Sequence, residues 1–213
     1  MARLVGTARP GPVPYPVSAA IGAAERGGSV DRGLVILAMG GDQEAFTRLA
    51  TATIDRLFAI ARLILRDGEL AEDAVQEAFV AAWRDLSGLR DPDRFEAWLH
   101  RLLVRSCYRE ARRSRRIGRL EARVTPIDMG EPDESETIAD RDQLERGFRR
   151  LDPDQRAIVV LHFYSGLTLI EVADVLAIPI GTVKSRLHRA TQRMRADLAS
   201  EARSATIDEG RPE

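Results

Sequence analysis

The chain has 213 residues with a net charge of -1 at pH 7, and 44% of its residues are hydrophobic against 31% charged. That supplies a packed core for one large or two small domains, and no apolar run reaches the roughly 18 residues of a membrane span. A single cysteine, Cys107, excludes an internal disulfide and fits a reducing cytoplasm, and three scattered histidines beside it argue against a zinc cluster, so neither metal nor cofactor is expected.

In chain order, residues 1–30 are rich in Pro, Gly and Ala, are broken by four prolines between Pro10 and Pro16, and lack the apolar segment of a signal peptide. They are expected to be a disordered leader. Helical patterning begins near Leu34, and Asp42 after "GGD" is a good N-cap. Phe46, Leu49, Ile54, Leu57, Phe58, Ala61, Ile64 and Leu65 then recur at spacings of three and four, one apolar face of a helix. "RDGEL" breaks it. The next amphipathic helix turns Val75, Ala78, Phe79, Ala82 and Leu86 inward and carries Glu72, Asp73 and Glu77 on its outer side. After the loop "SGLRDPD", a third helix starts near Pro92 with Phe95, Trp98, Leu99 and Leu102 inward and arginines outward. Within it, Arg101, Arg105, Arg109, Arg112 and Arg113 follow one another at mostly three- and four-residue steps, a stripe suited to a phosphate backbone. His100 and Cys107 share a face of this helix and are expected to be a surface imidazole and a small buried thiol.

Past Gly118 the pattern fades into "VTPIDMGEPDESETIAD", a polar, acidic stretch with two prolines that reads as a linker. The charges are segregated: His100–Arg123 holds nine arginines and two acids, whereas Val124–Arg146 holds eight acids and two arginines. Such blocks point to separate surfaces for separate partners. Helical patterning resumes at Gln143–Arg150. "LDPDQRAIVVLHFYSG" offers Asp152 as N-cap, Pro153 at the first helical position and Gly166 at the end.

"TLIE" at Thr168–Glu171 is a capping box opening a helix with Val172, Ala173, Val175 and Leu176, and "AIPIG" ends that helix just before another begins. So tight a turn between two helices is the mark of a helix-turn-helix. In the second helix Val183, Leu187, Ala190 and Met194 form an inward stripe. Thr182, Lys184, Ser185, Arg186, His188 and Arg189 are left outside near its N-terminus, where recognition helices carry the side chains that meet bases and phosphates. No β-alternation of useful length occurs. The expected fold is all-α: two small helical domains, 31–118 and 141–200, joined by a flexible acidic linker at 119–140, with a disordered tail at 201–213.

The ordered motifs "DQEAF", "AEDAVQEAFVAAW", "DPDRFEAWLHRLL", "RR" and, after the linker, "LDPDQRAIVVLHFYSGLTLIEVADVLAIPIGTVKSRLHRA" resemble the extracytoplasmic-function sigma factors of bacterial RNA polymerase over roughly residues 31–198. The resemblance implies that the first domain docks on the β′ clamp helices of RNA polymerase core through Glu72, Asp73, Gln76, Glu77 and Val80. It also implies that this domain opens the minus-10 element of promoter DNA along the arginine stripe, with Ser87–Asp93 as the segment that captures a flipped base. The second domain would dock near the β flap and read the minus-35 element. An anti-sigma factor is the implied regulator. The chain departs from the family where an Asn commonly follows the Trp of "WL" by seven residues and an acid stands four further on; here these are Arg105 and Arg109, which adds positive charge and implies an altered minus-10 preference. "LDPDQR" also stands where "LP" is commoner, and Asp152 still caps the helix.

Two other classes fit less well. A free-standing helix-turn-helix regulator would bind an operator without polymerase, yet the alternating βα pattern of a receiver domain is missing. An enzyme acting on nucleic acid would need a carboxylate cluster for metals or a nucleophile with its base, whereas the acids here lie on an amphipathic helix and in the linker.

Overall fold

The computed structural model describes residues 30–117 and 147–208, with side chains as far as Arg195. The leader, the linker and the end of the tail lie outside the described residues. Among those described there are helices and turns and no strand. Helix α1 spans Arg32–Met39, α2 Gln43–Leu65, α3 Gly68–Asp85 and α4 Phe95–Ile117, with short 3-10 turns at Leu86–Gly88 and Pro92–Arg94 between α3 and α4. The second group comprises α5, Pro153–Val159, continued by a π-helical turn at Val160–Tyr164, then α6, Leu169–Leu176, and α7, Ile180–Asp208. Helix α7 runs on past residue 200, where a disordered tail was expected, through residues with no Gly or Pro to stop them.

Each boundary has a local cause. Asp31, Asp42, Asp67 and Asp152 cap α1, α2, α3 and α5, each accepting from an amide in the first turn. Helix α2 ends at Arg66 (φ 60°) and α6 at Ala177 (φ 53°), both in the left-handed region that lets the chain reverse at once. Two reciprocal capping boxes fix the second group. Asp152 accepts from the Gln155 amide at 2.8 Å while Gln155 Oε1 accepts from the Asp152 amide at 3.3 Å. Thr168 Oγ1 accepts from the Glu171 amide at 3.3 Å while the Glu171 carboxylate accepts from the Thr168 amide at 2.7 Å. The Thr168 hydroxyl and amide hold the Glu171 carboxyl below the usual carboxylate range.

Of the expected apolar faces, Leu49, Leu57, Ala61, Ile64 and Leu65 of α2, Val75, Ala78 and Ala82 of α3 with Leu86 after it, and Phe95 and Leu99 of α4 are buried, whereas Phe46, Ile54, Phe58, Phe79, Trp98 and Leu102 are half-buried; Ile60, Ala71 and Ala74 join the core unassigned by the sequence. The small α3 residues let α2 and α4 approach closely. The core does not stop at the first domain: one cluster of buried residues continues through Ala157, Ile158 and Leu161 to Val172, Val175, Val183 and Ala190. Helix α4 packs against α5 and α6, and α2 packs against α5 and the turn after it, so the two helical groups touch. Helix α4 is therefore buried on more of its circumference than one amphipathic stripe provides: Leu99, Leu103, Val104, Cys107 and Ala111 are all buried. His100, expected at the surface, is 4% exposed, and both ring nitrogens lack a hydrogen-bond partner. Burial, then the nearby Arg56 guanidinium, pushes its pKa down to about 4. The thiol of Cys107 is buried as expected and pushed up by that burial.

Candidate nucleic-acid and core-binding surfaces

In the second group α6, the tight turn and the start of α7 form the helix-turn-helix. Val183 and Ala190 are fully buried, Leu187 and Met194 half-buried, which fixes the rotation of α7 about its axis. The same rotation leaves Lys184, Ser185, His188 and Arg189 exposed, with Thr182 and Arg186 half-buried at the margin. Ser185 Oγ donates to the Thr182 carbonyl at 3.1 Å, and Arg189 Nη2 donates to Ser185 Oγ at 3.5 Å. Arg186 is engaged within the unit: its Nη1 lies 3.3 Å from Asp154 Oδ2 in the first turn of α5. Arg193, four residues beyond Arg189, donates to Gln155 Oε1 at 2.9 Å. Asp154 and Gln155 thus engage two arginines of the basic helix, contacts that sequence reading did not assign them.

In the first group the acidic and arginine surfaces share a border. Glu72, Asp73, Gln76 and Val80 are exposed on α3, and Glu77 is half-buried. Across from it Arg109 of α4 places Nη2 3.1 Å from Glu77 Oε2 and donates to Ser106 Oγ at 3.0 Å. Glu110, 5% exposed on the inner side of α4, has its carboxyl raised by burial. Arg109, Arg112, Arg113 and Arg116 line one open groove. Arg105 is also exposed, so both positions that depart from the family pattern face outward.

Arg101 is placed apart from this stripe. It is half-buried, and its Nη2 donates to the Asp174 carbonyl near the C-terminus of α6. A second cross-group bond has no counterpart in the sequence reading: Arg156 of α5, 7% exposed, donates from Nε to the Ile64 carbonyl of α2 at 2.6 Å and from Nη1 to the Leu151 carbonyl at 3.1 Å. Burial, then the adjacent Arg66 charge, pushes Arg156 down to about 10, so it remains charged at neutral pH. A faint signal existed: Arg156 precedes Val159 and Val160 by three and four residues, which puts it on the inner face of α5. Tyr108 of α4 was also passed over. Its hydroxyl is raised by burial and by the carboxylates of Asp154 and Asp152, while Arg186 opposes that shift.

Among the described residues no His, Cys, Asp and Glu cluster is placed to hold a metal ion, and no helix is long and apolar enough to cross a membrane.

Two helical units of this kind, one pairing an acidic helix with an arginine stripe and one built as a helix-turn-helix, define a sigma-70 type protein. Residues 49–117 match Sigma-70 region 2 and residues 147–196 match Sigma-70 region 4. The chain is 31% identical over 185 residues to the ECF RNA polymerase sigma factor SigM of Mycobacterium tuberculosis, covering 86% of this chain and 92% of that protein. It belongs to the family of ECF RNA polymerase sigma factors. Among solved structures it is similar to CnrH in complex with the cytosolic domain of CnrY, at 31% identity and TM-score 0.59, over 80% of this chain and 98% of that one. It is also similar to the sigma factor RpoE of Bartonella quintana in complex with the anti-sigma factor NepR, at 25% identity and TM-score 0.57, over 72% and 96% respectively.

Proposed function

We propose that the protein is a dissociable promoter-specificity subunit of bacterial RNA polymerase that works in the cytoplasm and has no catalytic site of its own, the polymerase core supplying the chemistry. The unit spanning about 31–118 docks on the β′ clamp helices through Glu72, Asp73, Gln76, Glu77 and Val80. It holds the minus-10 region along Arg105, Arg109, Arg112 and Arg113. The unit spanning about 141–200 docks near the β flap and reads the minus-35 element through Thr182, Lys184, Ser185, Arg186, His188 and Arg189. The observation that carries this reading is the rotation of α7: burial of Val183 and Ala190 turns a basic, acid-free face outward at the helix N-terminus. An acidic face on α3 suits a basic protein partner and repels DNA, so core binding and DNA binding use different sides of one small unit. Arg101 joins the minus-10 strip once it is released from Asp174. The sigma factor–anti-sigma factor complex among the similar structures supports an anti-sigma factor as the regulator.

The test is to mix the purified protein with polymerase core and a library of promoter fragments and to sequence the transcripts. Initiation at a defined set of promoters that requires the protein is the expected result. Tight binding to an operator by the protein alone, with no transcript, would overturn it in favour of a free-standing regulator.

A further inference from the structure

The acidic side of α3 and the arginine stripe of α4 meet at one residue pair. Arg109 Nη2 lies 3.1 Å from Glu77 Oε2 and donates to Ser106 Oγ at 3.0 Å, so a single amino group spans the two helices. Glu77 Oε2 is shielded from water, and no hydrogen-bond donor is aligned with it among the described residues. The contact with Arg109 is thus an ion pair without a hydrogen bond, close enough to offset the carboxylate charge and loose enough to be exchanged. We propose that Glu77 and promoter phosphate compete for Arg109. Paired with Glu77, it screens the core-docking face and restrains binding to core polymerase; transferred to a phosphate, it leaves Glu77 open to a basic group of core. The proposal rests on the core-docking and minus-10 readings above.

Electrostatics give the exchange its direction. Glu77, Arg109, Glu110 and Arg113 line one open groove between α3 and α4, together with Asp73 and Gln76. Glu110 is 5% exposed and its carboxyl is raised by burial; Arg113 and Arg109 oppose that shift, while Glu77 and Asp73 reinforce it. Three carboxylates therefore share two guanidiniums, the second pair being Arg113 Nη1 at 3.9 Å from Glu110 Oε1. Arg84, the other arginine of that groove, is taken by Asp85 at 2.9 Å. Withdrawing Arg109 leaves like charges side by side without their nearest cation, a state that a basic partner relieves. Asp73, Gln76 and Glu77 belong to the proposed docking set, so that partner is core. A DNA phosphate on Arg109 accordingly strengthens core binding at the neighbouring face.

Position on the helices makes the two partners alternatives. Arg109 follows Arg105 by four residues and precedes Arg112 and Arg113 by three and four, so it sits within the stripe suited to the phosphate backbone. Its side chain is 59% exposed and that of Glu77 44%, so the guanidinium can turn from one partner to the other by side-chain rotation, with neither helix moving. A guanidinium held between both at once would bring the phosphate against the Glu77 carboxylate, two anions together, which the exchange avoids.

The test titrates fluorescently labelled protein with core polymerase and reads anisotropy, with and without a minus-10 fragment of a promoter recovered by the transcript sequencing. Without DNA, Arg109→Gln should bind core about 1.4- to fivefold more tightly than the wild type, the fold-change that corresponds to roughly 0.2–1 kcal/mol for an exposed ion pair. That gain should be lost when the fragment is present, because in the wild type the phosphate has then taken Arg109. It should also be lost in the Glu77→Gln background, where no carboxylate is left to unmask; Glu77 is one of five docking residues, so core binding there is weakened but measurable. Circular dichroism should show every variant still helical, as expected for substitutions at side chains this exposed. Unchanged or weaker core binding by Arg109→Gln without DNA would overturn the exchange and make Arg109 a brace of the docking face. A gain of full size in the Glu77→Gln background would overturn it in favour of plain repulsion between Arg109 and core. Failure of the wild type to bind core at all would instead strike the core-docking reading, so the two failures are distinguishable.

Discussion

Replacing Asp154 with Asn tests whether the recognition helix is held in check by its own unit. Arg186 Nη1 sits 3.3 Å from Asp154 Oδ2, with side-chain exposures of 34% and 52%. A half-exposed pair of this kind contributes roughly 0.2–1 kcal/mol. If Arg186 must leave Asp154 to meet DNA, Asp154→Asn removes that competition and should tighten minus-35 binding by up to about fivefold, since 1 kcal/mol is about a factor of five at 25 °C. Loss of a negative charge beside the DNA-facing side acts in the same direction and fades with salt. Arg186→Ala should weaken binding by about 1–3 kcal/mol and relax preference at one base pair if Arg186 reads a base. If it meets only phosphate, all sequences weaken alike and the salt slope falls by about one. The assay is fluorescence anisotropy of labelled promoter duplexes with the protein assembled on core polymerase, at several salt concentrations. Weaker binding in Asp154→Asn would refute the competition argument and recast Asp154 as the group that aims Arg186.

Val183→Ala removes two fully buried methyl groups from the seat of α7 and should destabilise the protein by about 1–3 kcal/mol, read by urea denaturation. Ala177→Gly relieves a non-glycine residue at φ 53° and should raise the melting temperature of the second group, read by calorimetry. For the Thr168 capping box, the folded Glu171 carboxyl lies below its ordinary 4.5, so its stabilisation is present above pH 4.5 and is lost as pH falls through the folded value. The stability gap between the wild type and Glu171→Gln, measured by urea titration, should accordingly close below that pH. His100 has a folded pKa near 4 against an ordinary 6.5, so stability is complete above pH 6.5 and falls toward pH 4, by at most about 1.4 kcal/mol per pH unit from this group. Arg56 and Glu96 face it with opposite effects, and His100→Leu should flatten that part of the stability curve.

The surfaces that face solvent were legible in the sequence because amphipathic spacing fixes helix rotation. Once Val183, Leu187, Ala190 and Met194 are assigned inward, geometry puts Lys184, Ser185, His188 and Arg189 outside. The caps were legible for the same local reason: Asp42, Asp152 and Thr168 each act on the amide three residues on, a distance that sequence spacing encodes. Short-range rules of this kind also separated the acidic side of α3 from the arginine stripe of α4.

What escaped the sequence is the face α4 turns to the second group. A helix buried on two sides needs more inward positions than one stripe supplies, and the extra ones here are chemically misleading. Arg101 and His100 read as surface residues by composition, yet they are half and wholly buried, and Tyr108, which the sequence left unassigned, is half-buried, on a helix that packs against α5 and α6 as well as its own group. Arg156 is the sharper case: a charged residue is rarely fully buried, so prior expectation sends it to solvent. Only the three-dimensional meeting of α5 with the end of α2 supplies the Ile64 carbonyl that makes its burial tolerable. That carbonyl is free to accept because α2 stops there: with Arg66 in the left-handed region, no further turn of α2 follows to bond it. A single local event, the chain reversal at Arg66, thus ends one helix and offers the acceptor by which the other half of the protein is held.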